Sequence, residues 1–311
     1  MVKLKGRDLL SLAELTKQNI VDLLKQAQRL KRRRIAITTT IALRPKILAM
    51  IFEKPSTRTR VSFEAAMRQL GGHALNLSWT ELQLSRGETL SDTARVLSRY
   101  VDGIMARVYS HEDLTTLAEN ATVPVINGLS DLYHPCQILA DFLTILEKKG
   151  RVEELKLSYI GDGNNVCNTL LVGCSRLGMD ISVAHPEGYG PHAQAVGLAG
   201  EFSKVSGSKV ELTVEPEVAA KGADVLYTDT FVSIGQEAER EKRLSAFIPK
   251  YQVAEETFRT AKPDAIFMHC LPAHRGEEVT SEVIDGPRSV VWDEAENRLH
   301  IQKAILLSLL G

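Results

Sequence analysis

The 311-residue chain carries almost no net charge: 38 lysines and arginines against 39 aspartates and glutamates leave a formal charge of −1. That balance gives no global reason to bind nucleic acid or an anionic membrane, so any anion site must be local. Long hydrophobic runs are missing too, and none approaches the roughly 20 residues of a membrane-spanning helix. Cysteines are few, and Cys136, Cys167, Cys174 and Cys270 form no Cys-x-x-Cys pair. With no signal-like start, this pattern predicts reduced thiols in a cytoplasmic setting. Met1 to Leu10 reads as neither a charged region with an apolar core nor an Arg/Ser-rich transit sequence, so no organelle leader is expected. No cysteine or histidine cluster has zinc spacing, and neither a metal nor another cofactor is expected. A dinucleotide fingerprint is incomplete: in Gly161-Asp162-Gly163-Asn164-Asn165-Val166 the third glycine is replaced by Val166. The stretch roughly 20 residues on offers only Asp180 as a ribose partner, which leaves a nicotinamide reading weak.

What is present describes an ordinary globular protein, with 44% apolar and 25% charged residues. The length exceeds one hydrophobic core, so two domains of roughly 150 residues are the default. Leu15, Ile20, Leu23, Leu24, Ala27 and Leu30 recur with helical period and end in the basic run Lys31 to Arg34, a solvated helix end complementing the dipole. Short apolar runs then alternate with helical ones. Strands are predicted at 46–52, 74–77, 103–108 and 124–126, with helices at 58–70, 90–100 and 112–120. The long helical stretch His134 to Lys149 ends at Gly150, which sets the domain junction there. A second alternation gives strands at 156–160, 181–184, 209–214, 224–228 and 265–269, and 294–310 is helical again. Both halves are predicted to be α/β units with open parallel sheets covered by helices.

The polar strings sit just after predicted strands, where open α/β sheets bind ligands, so the two halves are expected to offer facing edges of one cleft. Ser56-Thr57-Arg58-Thr59-Arg60 opens a helix after an apolar strand. Unpaired N–H groups, the positive dipole end, three hydroxyls and two guanidiniums there make an anion cradle suited to phosphate. Arg107, at a strand end, reads alone either as a surface ion pair or as a contact to a phosphate or carbonyl oxygen. His134-Pro135-Cys136-Gln137 opens a helix with proline in the first turn and His and Gln on the same turn. Asp229 reads either as a loop cap or as a carboxylate that binds an ammonium group and biases its protonation. Cys270, between His269 and Leu271-Pro272, sits at a strand end, unlike the other three cysteines, which read as small buried hydrophobes.

Taken in order, these strings resemble those of the aspartate/ornithine carbamoyltransferase family. Phe52-Glu53-Lys54-Pro55-Ser56-Thr57-Arg58-Thr59-Arg60 is similar to the family's carbamoyl-phosphate loop, and His269-Cys270-Leu271-Pro272 is similar to its ornithine branch only. The likeness runs from Leu4-Lys5-Gly6-Arg7-Asp8 to the last helix. It implies a carbamoyl-phosphate domain over 1–149 with the final helix, 293–311, packed back onto it, and an ornithine domain over 150–292. The implied reaction is carbamoyl transfer to the side-chain amine of L-ornithine, giving L-citrulline and phosphate in arginine metabolism.

By the same resemblance Ser56, Thr57, Arg58, Thr59, Gln83, Arg107, His134, Gln137, Cys270, Leu271 and Arg298 hold carbamoyl phosphate, the last four through amide, backbone carbonyls and guanidinium. Asn165, Asp229, Ser233 and Ile234 hold ornithine, and Arg107, His134, Asp229 and Cys270 carry catalysis. The family's Ser-Met-Gly closing loop is here Ser233-Ile234-Gly235. The branched Ile234 lacks methionine's flexibility, so acceptor selectivity is where this departure bears. Gln83 lies in a loop that in the family crosses to a neighbouring subunit, which implies a homo-oligomer, a trimer or an assembly of trimers. Small-molecule substrates, and no nucleic acid or membrane, are the partners expected.

Overall fold

The computed structural model describes residues 4–33, 43, 45–233 and 235–311. By its contacts the chain forms two units, Met1–Leu143 with Glu296–Gly311, and Thr144–Ala295.

The first unit opens on α1 (Lys17–Arg33), whose Ile20, Leu23, Leu24 and Ala27 form the buried stripe that the helical period predicts. Removing one such leucine from water stabilises the fold by about 1.5–3 kcal/mol. The alternation then runs β1 (Ile47–Phe52), α2 (Thr57–Gln69), β2 (His73–Ser78), α3 (Leu90–Leu97), β3 (Gly103–Arg107), α4 (His111–Asn120), β4 (Val125–Leu129) and α5 (Pro135–Lys149). The sheet is parallel with strand order β2-β1-β3-β4. Parallel neighbours need long crossovers, and the helices provide them. The β3 residues are buried throughout, as are the middle four of β1, which is why both strands read as continuous apolar runs. Helix α3 stops short of the expected Tyr100 because its bonding tightens: Arg99 N–H donates to the Val96 carbonyl at 3.0 Å and Tyr100 N–H to the Leu97 carbonyl at 2.9 Å, so 98–100 continue as turns.

Register gathers the carboxyl ends of this sheet. Phe52 lies opposite both Ser78 and Arg107. Between β3 and β4 the register slips, Ala106 facing Asn127 but Arg107 facing Leu129. Gly128 occupies the skipped position, where a Cβ would lie 2.4 Å from the Met105 sulfur. The extra residue lies on β4, so it is that strand which bends beside the Arg107 end of β3.

The second unit alternates in the same way: β5 (Lys156–Ile160), α6 (Asn165–Leu177), β6 (Asp180–Ala184), α7 (Ala193–Ser206), β7 (Val210–Thr213), α8 (Pro216–Ala220), β8 (Val225–Tyr227), α9 (Arg240–Phe247), β9 (Ile266–Met268) and α10 (Ser281–Ile284), after which α11 (Val291–Leu310) begins in this unit and ends in the first. Its parallel sheet has the order β7-β6-β5-β8-β9. Strand order therefore reverses between β5 and β8, which is where such sheets open a crevice at their carboxyl ends. Nearly every residue of α6 is buried, so it packs as a central helix and not as an amphipathic cover. All nine predicted strands are present, and α8 to α10 are too short for periodicity to reveal.

The chain passes between units inside two helices, α5 and α11. In α11 the His300 side chain is fully buried, its Nε2 3.1 Å from Glu296 Oε1. Burial pulls its imidazole down from 6.5 to about 4, outweighing the Glu296 hydrogen bond, and Lys303 adds to the effect. Between those values the unfolded chain binds a proton that the folded chain does not. This group's contribution to stability therefore falls as pH drops from 6.5 toward 4. Calorimetric melts across that window should show a shallower loss of Tm for His300→Gln than for the parent protein, and parallel curves would contradict the assignment.

Candidate active site

In the first unit the site starts at the N-terminus of α2. Ser56 is extended (φ −161°, ψ 117°) and its hydroxyl accepts the Thr59 N–H at 3.2 Å, as a helix cap should. That bond orders the first turn, on which Thr57, Arg58 and Arg60 are exposed and Thr59 is buried. The Thr59 hydroxyl accepts from Arg298 Nη2 at 3.0 Å, and Arg298 Nη1 donates to the side-chain amide oxygen Oε1 of Gln137. Gln137 in turn donates to Asp141 Oδ1 at 2.8 Å. Three helices, α2, α5 and α11, are thus tied by one buried guanidinium. Arg298 is 3% exposed, far from the solvated helix-end arginine that its sequence position would otherwise suggest.

His134 precedes α5 and is buried. Its imidazole is pushed well below the usual range, first by burial and then by the guanidiniums of Arg298, Arg107 and Arg58. Near neutral pH it is therefore an uncharged ring within the field of three guanidinium cations. Lys54 adds a fourth: burial and Arg107 lower its ammonium, which stands 4.2 Å over the Tyr109 ring. Such a field, built from groups already held by the protein, favours a phosphate and any oxygen that gains negative charge beside it. Gln83 is exposed at the start of a 3₁₀ turn, Gln83–Arg86, and shares none of these hydrogen bonds.

In the second unit the site lies at the reversal of strand order. Asp229 follows β8 and is buried; its Oδ1 accepts the Thr230 N–H at 2.8 Å and the Cys270 thiol at 3.1 Å. Its Oδ2 accepts Asn164 Nδ2 at 2.8 Å. Asn164 also caps α6, its Oδ1 accepting from Val166 N at 2.9 Å and Cys167 N at 3.2 Å. Asn165, half-buried, begins that helix. Tyr159 donates to the Asp162 carbonyl at 2.8 Å, and burial first, then Asp229, pushes its phenol well above the ordinary range. It stays a neutral donor throughout the working pH range.

The Cys270 turn is held from behind. The His269 N–H donates to Glu294 Oε2 at 3.0 Å, and Tyr227 OH donates to the other oxygen at 3.2 Å. His269 Nδ1 accepts the Leu271 N–H at 2.8 Å, which assigns the ring proton to Nε2, 3.2 Å from Glu278 Oε1. Leu271 takes a left-handed φ of 58°. Asp229, His269 and Cys270 have ligand-type atoms within 4.8 Å of one another, but each is engaged in the bonds just given. Ser233 is half-buried with its N–H on Gln236 Oε1 at 3.0 Å; Ile234 lies outside the described residues.

Sequence reasoning missed Asn164, whose link to Asp229 spans 65 positions, although an asparagine immediately before an apolar helix is a capping signal. It also missed Asp141 and Glu294. Both are buried acids on helices, with no local pattern to mark them.

Comparison with known proteins matches both units. The family model described as aspartate/ornithine carbamoyltransferase, carbamoyl-P binding domain, matches residues 7–147. The model described as the Asp/Orn binding domain of the same enzymes matches residues 153–309. An ornithine carbamoyltransferase of Pyrococcus abyssi is 58% identical over 100% of this chain and 98% of its own length. The anabolic ornithine carbamoyltransferase of Pyrococcus furiosus is 56% identical over the same shares. A solved ornithine carbamoyltransferase structure from P. furiosus superposes with a TM-score of 0.96, covering 100% of this chain and 99% of that one.

Proposed function

The chain belongs to the aspartate/ornithine carbamoyltransferase family, and from that premise we propose that it transfers the carbamoyl group of carbamoyl phosphate to the side-chain amine of L-ornithine. The products are L-citrulline and phosphate, and the anabolic P. furiosus relative supports a place in arginine biosynthesis. The observation that carries the acceptor assignment is the hydrogen bond from Cys270 to Asp229, a carboxylate also held by Asn164 and the Thr230 N–H.

In the reaction the neutral amine attacks the carbamoyl carbon. A C–N bond forms, the C–O bond to phosphate breaks, and the proton lost from nitrogen leaves with the phosphate as hydrogen phosphate. Ser56, Thr57, Arg58 and Thr59 hold the phosphate, with Arg298 and Gln137 fixing the carbamoyl end. Arg107, neutral His134 and Thr59 stabilise the carbamoyl oxygen as it gains charge. Asp229 and Cys270 orient the attacking nitrogen, and the backbone carbonyls of Cys270 and Leu271 accept from the carbamoyl NH2. Asn165 and Ser233 hold the α-amino and carboxylate groups, and Ile234 covers the aliphatic chain. The lowered His134 supports this division, because an uncharged imidazole donates to the oxygen without competing for the phosphate. Aspartate is disfavoured as acceptor, since a second carboxylate would meet Asp229.

The assembly is a homo-oligomer, a trimer or a group of trimers, with the exposed Gln83 turn serving a neighbouring subunit's site. The setting is cytoplasmic, a reading supported by four cysteines outside any disulfide. Among the described residues no helix is long and apolar enough to cross a membrane. The test is a panel in which purified protein and carbamoyl phosphate meet ornithine, putrescine, N-acetylornithine or aspartate. Citrulline formation well above the other products is expected, and faster turnover of any other amine would overturn the acceptor.

A further inference from the structure

The loops that follow β5 and β8 are joined by a side chain that belongs to neither. Arg243, on α9, is 5% exposed. Its Nε donates to the Phe231 carbonyl at 2.6 Å, and its Nη2 lies 2.6 Å from Asp162 Oδ2. The guanidinium carbon lies 5.0 Å from the Tyr189 ring and 5.8 Å from the Phe247 ring, and Phe247 stacks on Phe231 at 4.5 Å. A charge this buried is tolerable only while paired, so the contact is demanding in geometry.

Both partners of Arg243 sit beside site residues. Phe231 lies between Asp229 and Ser233 in the chain, and Asp162 precedes Asn164 and Asn165. The 162–165 loop has little other slack. The Gly163 N–H donates to the Tyr189 carbonyl at 2.8 Å, and a Cβ at Gly163 would come within 2.1 Å of the Gly190 backbone. The opposite loop is tied to it by Asn164 and Asp229 at one point and by Arg243 at another.

We propose that Arg243 is a positioning residue for the amino-acid acceptor: by bridging the Phe231 carbonyl and the Asp162 carboxylate it fixes the spacing of Asp229 from Asn164 and Asn165. It touches neither the acceptor nor carbamoyl phosphate. This rests on the reading above that those two loops hold the acceptor. A planar fork is required, because one ammonium on a flexible stem cannot meet a carbonyl and a carboxylate in fixed directions together.

The test is steady-state kinetics on the 311-residue protein with Arg243→Gln, Arg243→Lys, Asp162→Asn and the Arg243→Gln/Asp162→Asn pair. The expected result is an acceptor KM raised about tenfold to a hundredfold in Arg243→Gln and Asp162→Asn, with the carbamoyl-phosphate KM within about twofold of the parent. Arg243→Lys should recover part of the loss, and the pair should be no worse than Arg243→Gln alone, because both remove one contact. Equal rises in both KM values, an unchanged acceptor KM, or additive losses in the pair would overturn the proposal. Should Arg243→Gln fail to fold, Asp162→Asn and Arg243→Lys, which nearly keep the buried volume, carry the same comparison. If the parent protein uses an amine other than ornithine, the acceptor assignment fails, and the KM split measured with that amine still decides the role of Arg243.

Discussion

Replacing Arg107 with glutamine is expected to lower kcat by about 10²–10³, the cost of losing one preorganised donor to a developing oxyanion. Arg107 ends β3 beside the register slip to β4 and is 8% exposed, so its guanidinium is held within the protein and not in solvent. Glutamine keeps a donor but not the charge, and its shorter side chain does not reach where a guanidinium does. Because Arg107 is one of the three cations that hold His134 uncharged, the imidazole should also rise toward its ordinary range in the variant. The two readouts are the initial rate of citrulline formation at saturating substrates and the His134 titration followed by NMR. A kcat within about threefold of the parent would remove Arg107 from the transition state.

The second large effect is expected at Asp229. Its two oxygens accept three donors, from Thr230, Cys270 and Asn164. Asn at this position turns one acceptor into an NH2 group that must face either the Asn164 amide or the Thr230 N–H and the thiol. One donor is then left facing another, which costs about 1–3 kcal/mol of stability. The charge that orients the attacking nitrogen is lost as well. Asp229→Asn should therefore lower kcat/KM for ornithine by about 10³ while the protein remains folded and binds carbamoyl phosphate as before. Weakened carbamoyl-phosphate binding of the same size would show that Asp229 acts on the fold and not on the acceptor.

Much of this was legible in the sequence because the site residues lie at ends of elements whose patterns are strong. The run Ile47–Phe52 and the amphipathic segment after Ser56 fix where the anion loop falls, and the apolar run before His269 fixes the Cys270 turn. What could not be read is what distant residues do to one another. Arg298 reaches Thr59 across 239 positions and Gln137 across 161, and nothing local in α11 distinguishes it from a solvated arginine. The uncharged state of His134 depends on burial and on three arginines from separate elements. The register slip beside Arg107 depends on how Gly128 packs against Met105, and the Arg243 bridge depends on a helix too short to announce itself.

The most direct measurement supplies carbamoyl phosphate labelled with carbon-13 to the purified protein with L-ornithine and follows label and phosphate together. All transferred label is expected in the ureido carbon of citrulline, with one phosphate released for each citrulline formed. Phosphate release without labelled citrulline, or label captured by a different amine, would contradict carbamoyl transfer to ornithine.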